Sequence, residues 1–310
     1  MTHYRSLDEI KLKKAWLTVG VFDGVHLGHQ ELIHRLVSAA HSAKAPAVVL
    51  TFDPHPAVVL GGLSEFKCLT TVDERAALLD SLGVDEIVTM TFDRTLADET
   101  AEDFMRRVSK ALGLRTLLIG YDTALGRGRE GNAARLAEIG RQLRYRLEVV
   151  PPVHADGEVI SSTRIRARLA VGDVAAAAGF LGRPYVLRGP VIHGDGRGRK
   201  INIPTANIQL PSEKVIPANG VYACWAWVGG EKHAAVTNIG TRPTFTPDEF
   251  QPHVEAHLLD FQREIYTQEV RLEFVARLRP EQKFPSVPAL LEQIQADITS
   301  SRAILGSSQS

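Results

Sequence analysis

The chain has 310 residues, enough for two domains with a core each. Lys plus Arg and Asp plus Glu number 36 each, so no global field gathers nucleic acid or anionic membrane. A content of 44% hydrophobic and 23% charged residues is that of a soluble protein, and neither a signal-peptide core nor a membrane-length apolar run occurs.

In chain order, 15–22 (AWLTVGVF), 47–52 (AVVLTF), 85–92 (DEIVTMTF), 115–120 (RTLLIG) and 146–150 (RLEVV) read as buried parallel strands. Between them Leu32, Ile33, Leu36, Val37 and Ala40 mark one helical face. TVDE at 71–74 reads as a capping box, Gly83 as a helix stop, and Thr100 as a second helix start. Strand–helix alternation of this kind predicts a doubly wound α/β sheet, with ligands beyond the carboxyl ends of its strands. After Gly182 the rhythm changes to alternating strands separated by Gly and Pro turns, with one long helix near 287–301. That pattern predicts an antiparallel barrel carrying a C-terminal helix. The boundary is expected at LGRPY, giving domains 1–182 and 183–310. Cys68 and Cys224 are far apart and lack metal-ligand spacing, which suits a reducing cytoplasm.

The first candidate site is GVFDGVHLGHQ, 20–30, a strand-to-helix turn holding Phe22, Asp23, Gly24 and Gly28 with His26 and His29. A helix N-terminus is a natural phosphate cradle; the glycines would let the backbone close on the anion, and the histidines could donate to phosphoryl oxygens. A plain turn with two solvent-facing histidines is the competing reading. TFDPHP (51–56) places Asp53 and His55 at the same sheet edge. SSTRIR (161–166) opens a helix with Ser161, Ser162 and Thr163 beside Arg164 and Arg166, a clustering that a simple cap does not explain.

In the second half, RGPVIHGDGRGRK (188–200) surrounds Gly189, Gly194 and Arg197 with basic residues. In PTAN, Thr205 and Asn207 offer the hard oxygens that suit magnesium. In HVEAHLLDF, Val254, Ala256 and Leu258 share one strand face, and His253, Glu255 and His257 the other. A solvated sheet face is the more usual explanation of the latter three. Trp225 and Trp227 read as packing residues.

GVFDGVHLGHQ, TFDPHP, SSTRIR and PTAN, in this order, resemble the bacterial bifunctional riboflavin kinase/FMN adenylyltransferase family, also called FAD synthetases, over nearly the whole chain. The resemblance implies a Rossmann-like nucleotidyltransferase domain followed by an antiparallel β-barrel riboflavin kinase domain. It implies ATP, Mg2+, riboflavin, FMN and FAD as ligands. His26 and His29 would stabilise the α-phosphoryl group, and 161–166 would hold pyrophosphate. Phe22, Asp23, Gly24, Gly28, Asp53, His55 and Asp122 would line the first nucleotide site. Gly189, Gly194 and Arg197 would cover the second, with Asn238 and Arg242 as ligand contacts. Thr205 and Asn207 would hold the metal, and Glu255 would be the general base. The implied partners are small-molecule flavins and ATP, with neither nucleic acid nor membrane; nothing in the sequence specifies an oligomeric state.

The chain departs from the family pattern in three places. The family's D-F-x-F-G reads DTALG at 122–126, without either aromatic, so a weak FMN adenylylation is expected. Asn202 and Thr267 each replace a glycine. A kinase that no longer adenylates and a non-catalytic flavin- or nucleotide-binding regulator are the alternatives. Retention of His26, His29, Thr205, Asn207 and Glu255 argues against the regulator.

Overall fold

The computed structural model describes residues 1–61, 66–155, 157–194, 201, 203–241 and 252–307. The chain divides into two compact units, Met1–Ser162 and Thr163–Ser310.

The first unit runs β1 (Thr2–Tyr4), β2 (Trp16–Val19), α1 (Leu27–Ser42), β3 (Ala47–Asp53), α2 (Pro56–Gly61), α3 (Val72–Ser81) and β4 (Glu86–Thr91). It continues with α4 (Arg94–Ala97), α5 (Ala101–Leu112), β5 (Thr116–Gly120), α6 (Ala133–Leu143), β6 (Arg146–Val150) and a small hairpin, β7 (His154–Ala155) with β8 (Glu158–Val159). Strands β1 to β6 form one parallel sheet in the order β1-β4-β3-β2-β5-β6. The central strands are largely apolar and buried because both faces are covered. Leu17, Val19, Val48 and Leu50 pack on the α5 side with Phe104 and Met105. Val49, Ile87 and Leu118 pack on the α1 side with Ile33 and Leu36.

All five expected strands are present, and so are the local signals. Thr71 and Glu74 close the capping box on α3, and Thr100 caps α5. Such caps contribute about 1 kcal/mol each. The reading of 146–150 as buried is corrected: β6 is an edge strand in which only Val150 is buried. Strand β1, at the opposite edge, was not expected; three residues are too few to show a period.

The second unit contains most of α7 (Ser162–Ala170), then α8 (Val174–Leu181), β9 (Tyr185–Ile192), β10 (Ala206–Ile208), β11 (Gly220–Val228) and β12 (Glu231–Thr241). It ends with β13 (Pro252–Leu258), β14 (Glu269–Arg279) and α9 (Val287–Ser307). Its six strands close into an antiparallel barrel, β10-β13-β12-β11-β14-β9, which leaves no free edge. Tyr222, Phe274, Leu272 and Leu187 are buried completely or nearly so. Helix α9 is fixed to the barrel by Arg279, which donates to the buried carboxylate of Asp297 at 2.8 Å.

Candidate active sites

The turn between β2 and α1 is built on an unusual backbone. Phe22, Gly24 and Val25 have φ of 53°, 82° and 40°. Glycine accepts this region freely, whereas the two side-chain-bearing residues carry strain of about 1–3 kcal/mol each. The surroundings over-determine the geometry. The Asp23 carboxylate, nearly fully buried, accepts the Leu69 and Thr70 N–H groups at 2.8 and 3.1 Å. Gly24 N–H donates to the Thr70 hydroxyl at 3.0 Å, and Gln30 Nε2 donates to the Val25 carbonyl at 2.8 Å. Ser162, first residue of α7, donates its hydroxyl to the Asp23 carbonyl at 2.8 Å. Phe22 and Val25 meanwhile sit in the core with Leu32 and Ile33. Asp23 thus shapes the turn, and Ser162 is tied to it by that hydrogen bond.

His26 is the N-cap of α1, and its Nδ1 accepts the His29 N–H at 3.3 Å. In the neutral ring the proton therefore sits on Nε2. The two imidazoles stack with centroids 3.6 Å apart, and Phe22 meets His29 edge-on at 5.2 Å. Gly28 serves a different end from the expected backbone bend: a Cβ there would lie 3.1 Å from His26 Cε1, so the missing side chain makes room for the ring. His29 Nδ1 is buried without a hydrogen-bond partner among the described residues. Burial, then the neighbouring His26 and Arg75, hold the His29 pKa well below the usual histidine value. A neutral imidazole still offers one N–H donor, and the N-terminus of α1 supplies positive potential.

Arg75, on the capped helix α3, escaped the sequence reading. It is 3% exposed and donates to the Val21 and Phe52 carbonyls at 2.9 and 3.0 Å, binding together the chain just after β2 and the end of β3. Nothing in its amphipathic helix pattern signals that role.

Asp53 ends β3, exposed. His55 follows, its Nδ1 accepting the Ala57 N–H at 3.1 Å and its ring stacked on Phe66. Asp122 is exposed after β5, and its carbonyl accepts from Arg129 at 3.0 Å. The GVFDGVHLGH, TFDPHP and DTALG motifs thus follow β2, β3 and β5, three neighbouring strands at whose carboxyl edge ligands bind in such sheets. Leu125 is buried in the core with Phe104, which leaves Thr123 as the half-exposed position of the missing aromatic pair. Ser161 precedes α7, and Thr163, Arg164 and Arg166 lie in its first two turns.

In the barrel, strand register assembles the second site. Asn207 on β10 and Asn238 on β12 both stand opposite Glu255 on β13, so three polar residues form a row across three strands. Along β13 Val254, Ala256 and Leu258 are buried while His253, Glu255 and His257 are half-exposed, as the alternation predicts. Thr205 donates its hydroxyl to Glu255 Oε2 at 3.2 Å. His253 Nε2 lies 3.0 Å from Glu255 Oε1 and hydrogen-bonds Asn207 Oδ1. His257 bonds the Pro204 carbonyl at 2.8 Å. Gly194 lies against the Asn207 amide, and Gly189, in β9, against the Gln209 carbonyl. A cleft of about 190 Å³ opens beside Thr205, lined also by Pro204, Phe261, Ile265 and Tyr266. Arg197, Asn202 and Arg242 lie outside the described residues.

The donor set fits a hard cation. Thr205 and Asn207 offer neutral oxygens with the Glu255 carboxylate beside them, the sparse protein ligation that suits magnesium sharing its shell with water and phosphate. Among the described residues no cluster of three His, Cys, Asp or Glu could hold a metal by itself.

A family model described as FAD synthetase matches residues 8–164, and one described as riboflavin kinase matches residues 181–305. A curated bifunctional riboflavin kinase/FMN adenylyltransferase from Listeria monocytogenes is 37% identical, over 93% of this chain and 91% of its own length. One from Bacillus subtilis is 35% identical, over 96% and 94%. A crystal structure described as a macrolide-efflux protein from Streptococcus pneumoniae superposes with a TM-score of 0.90 at 32% identity, covering 97% of this chain and 98% of that one. No described helix is long and apolar enough to cross a membrane.

Proposed function

The chain belongs to the bifunctional riboflavin kinase/FMN adenylyltransferase family, and we propose how its residues divide the two reactions it catalyses: riboflavin to FMN, then FMN to FAD. In this reading residues 1–182 form the adenylyltransferase domain and 183–310 the kinase domain.

In the kinase site, Glu255 removes the proton from the terminal ribityl hydroxyl of riboflavin as that oxygen attacks the γ-phosphorus of ATP. The new O–P bond forms, the bond to the β–γ bridging oxygen breaks, and ADP leaves. A hydroxyl needs this base, and a positioned carboxylate contributes about 10²–10⁴-fold. Thr205 and Asn207 would hold Mg2+, which when bound neutralises phosphate charge. Gly189, Gly194 and Arg197 would cover the ATP phosphates, and Asn238 and Arg242 would contact ligand.

In the adenylyltransferase site an FMN phosphate oxygen attacks the α-phosphorus of a second ATP, and pyrophosphate departs. That phosphate is already ionised, so positioning and charge stabilisation carry the step. His26 and His29 donate to the α-phosphoryl oxygens. Ser161, Ser162, Thr163, Arg164 and Arg166 would take the pyrophosphate, with Phe22, Asp23, Gly24, Gly28, Asp53, His55 and Asp122 lining the nucleotide site. Cys68 and Cys224, neither of them in a disulfide, and small soluble substrates fit a cytoplasmic enzyme without nucleic-acid partners.

The observation that supports this reading over a regulator is the row Asn207–Glu255–Asn238 with Thr205 bonded to the carboxylate. A binding module has no use for a base between two ligand residues. Incubation of riboflavin with Mg–ATP, followed by chromatography of the products, should yield FMN and FAD. FMN alone would remove the adenylylation half, and neither product would restore the regulator.

A further inference from the structure

We propose that His253 positions the general base of the kinase site, an inference that rests on Glu255 having that role. His253 stands two residues before Glu255 on the same face of β13, with side chains 24% and 29% exposed. Its Nε2 reaches two acceptors on different strands, Glu255 Oε1 at 3.0 Å and Asn207 Oδ1. A ring nitrogen placed between two acceptor oxygens has to carry hydrogen, since the other tautomer would set three lone pairs against one another. The Nε2–H is directed at the Asn207 amide oxygen, with Glu255 Oε1 3.0 Å from the same nitrogen.

The consequence is geometric. Glu255 has rotatable bonds and stands on a half-exposed face, yet each of its oxygens has a polar neighbour within 3.2 Å. Thr205 holds Oε2 at 3.2 Å, and His253 holds Oε1. Opposite His253 on β12 stands Gly240, and the Glu281 carboxylate and the Asn238 amide reach into the space that a Cβ there would take. The same N–H ties Glu255 to Asn207 and so sets the spacing between the base and the proposed metal ligand. Without it Oε1 loses its His253 contact, and the carboxylate is less firmly aimed at the attacking hydroxyl. Binding of riboflavin, by contrast, does not require the carboxylate to be aimed.

The test compares His253→Ala, His253→Gln and Glu255→Gln at saturating Mg–ATP. FMN formation is followed as a function of riboflavin concentration, and riboflavin affinity is measured separately by quenching of flavin fluorescence. For His253→Ala, kcat should fall about 10–100-fold, the usual effect of losing an orienting partner, with KM and Kd for riboflavin within about twofold. Glutamine places an N–H near the position of Nε2, so His253→Gln should recover most of kcat. The riboflavin Kd of each variant, with its circular dichroism, reports that the barrel is folded. Should His253→Ala fail to fold, His253→Leu supplies bulk without the donor. Unchanged kcat in the alanine or leucine variant, with Glu255→Gln inactive, overturns the role of His253 and leaves Glu255 as base. A loss confined to riboflavin affinity, or a glutamine variant as slow as alanine, also overturns it. Near-normal FMN formation by Glu255→Gln removes the base assignment itself.

Discussion

The imidazole rings of His26 and His29 stack 3.6 Å apart at 17°, with the His26 Nδ1 accepting the His29 backbone N–H. Burial is the main cost of protonating His29, and the stacked His26 and then Arg75 add to it, so its pKa is held well below 6.5. His29 is therefore neutral at pH 7, and in an NMR titration of the free enzyme its ring should show no midpoint near 6.5. The sign for stability follows. A depressed folded pKa gives a contribution present in full above the unfolded value of 6.5, lost as pH falls through the folded pKa. Urea denaturation should show the parent losing more stability than His29→Gln between pH 7.5 and about 5. Equal losses would contradict a depressed His29.

Asp23 gives the clearest structural prediction for the first site. Asp23→Ala leaves the Leu69 and Thr70 N–H groups buried without their acceptor, at about 1–3 kcal/mol for each unsatisfied donor. The strained residues Phe22 and Val25 also lose an anchor. FAD formation should collapse in a variant that still makes FMN. A variant with normal adenylylation would show that the turn does not depend on this carboxylate.

In the loop after β5, Thr123 is half-exposed while Leu125 is buried in the core. Stacking a flat ring on an aromatic side chain contributes about 1–3 kcal/mol. Thr123→Phe should raise kcat/KM for FMN about tenfold and leave that for ATP unchanged. Leu125→Phe should destabilise the chain by about 1–3 kcal/mol through overpacking. No gain in FMN use by Thr123→Phe would mean that this loop does not seat the flavin.

Thr267, where the family carries glycine, has φ of 65° and is exposed. A β-branched residue there carries about 1–3 kcal/mol of strain, against about 0.5–1 kcal/mol of added chain flexibility for glycine. Thr267→Gly should accordingly stabilise the barrel by about 1 kcal/mol, seen as a higher Tm. A lower Tm would show the strain to be absorbed elsewhere.

Long apolar periods and caps were legible in the sequence: five parallel strands, the Thr71–Glu74 box, Thr100, and the alternation of β13. What escaped was short or depended on pairing. Strands β1 and β10 have three residues each, too few for a period, and β10 carries Asn207. Side-chain types alone do not reveal that Asn207 and Asn238 flank Glu255, because barrel register fixes that. The site role of Arg75 was hidden behind an ordinary helix pattern. The positive φ of Phe22 and Val25 goes against their residue types, as happens where neighbours such as Asp23 impose the backbone.

The central claim is that two separate sites act in series, one with a base and one without. It is tested most directly by a crossed assay of Glu255→Gln and His29→Ala, with riboflavin or FMN as substrate and products separated by chromatography. Glu255→Gln should form no FMN from riboflavin, about 10²–10⁴-fold below the parent, yet convert supplied FMN to FAD. His29→Ala should form FMN from riboflavin and stop there. A single variant, folded by circular dichroism, that loses both conversions would contradict the account.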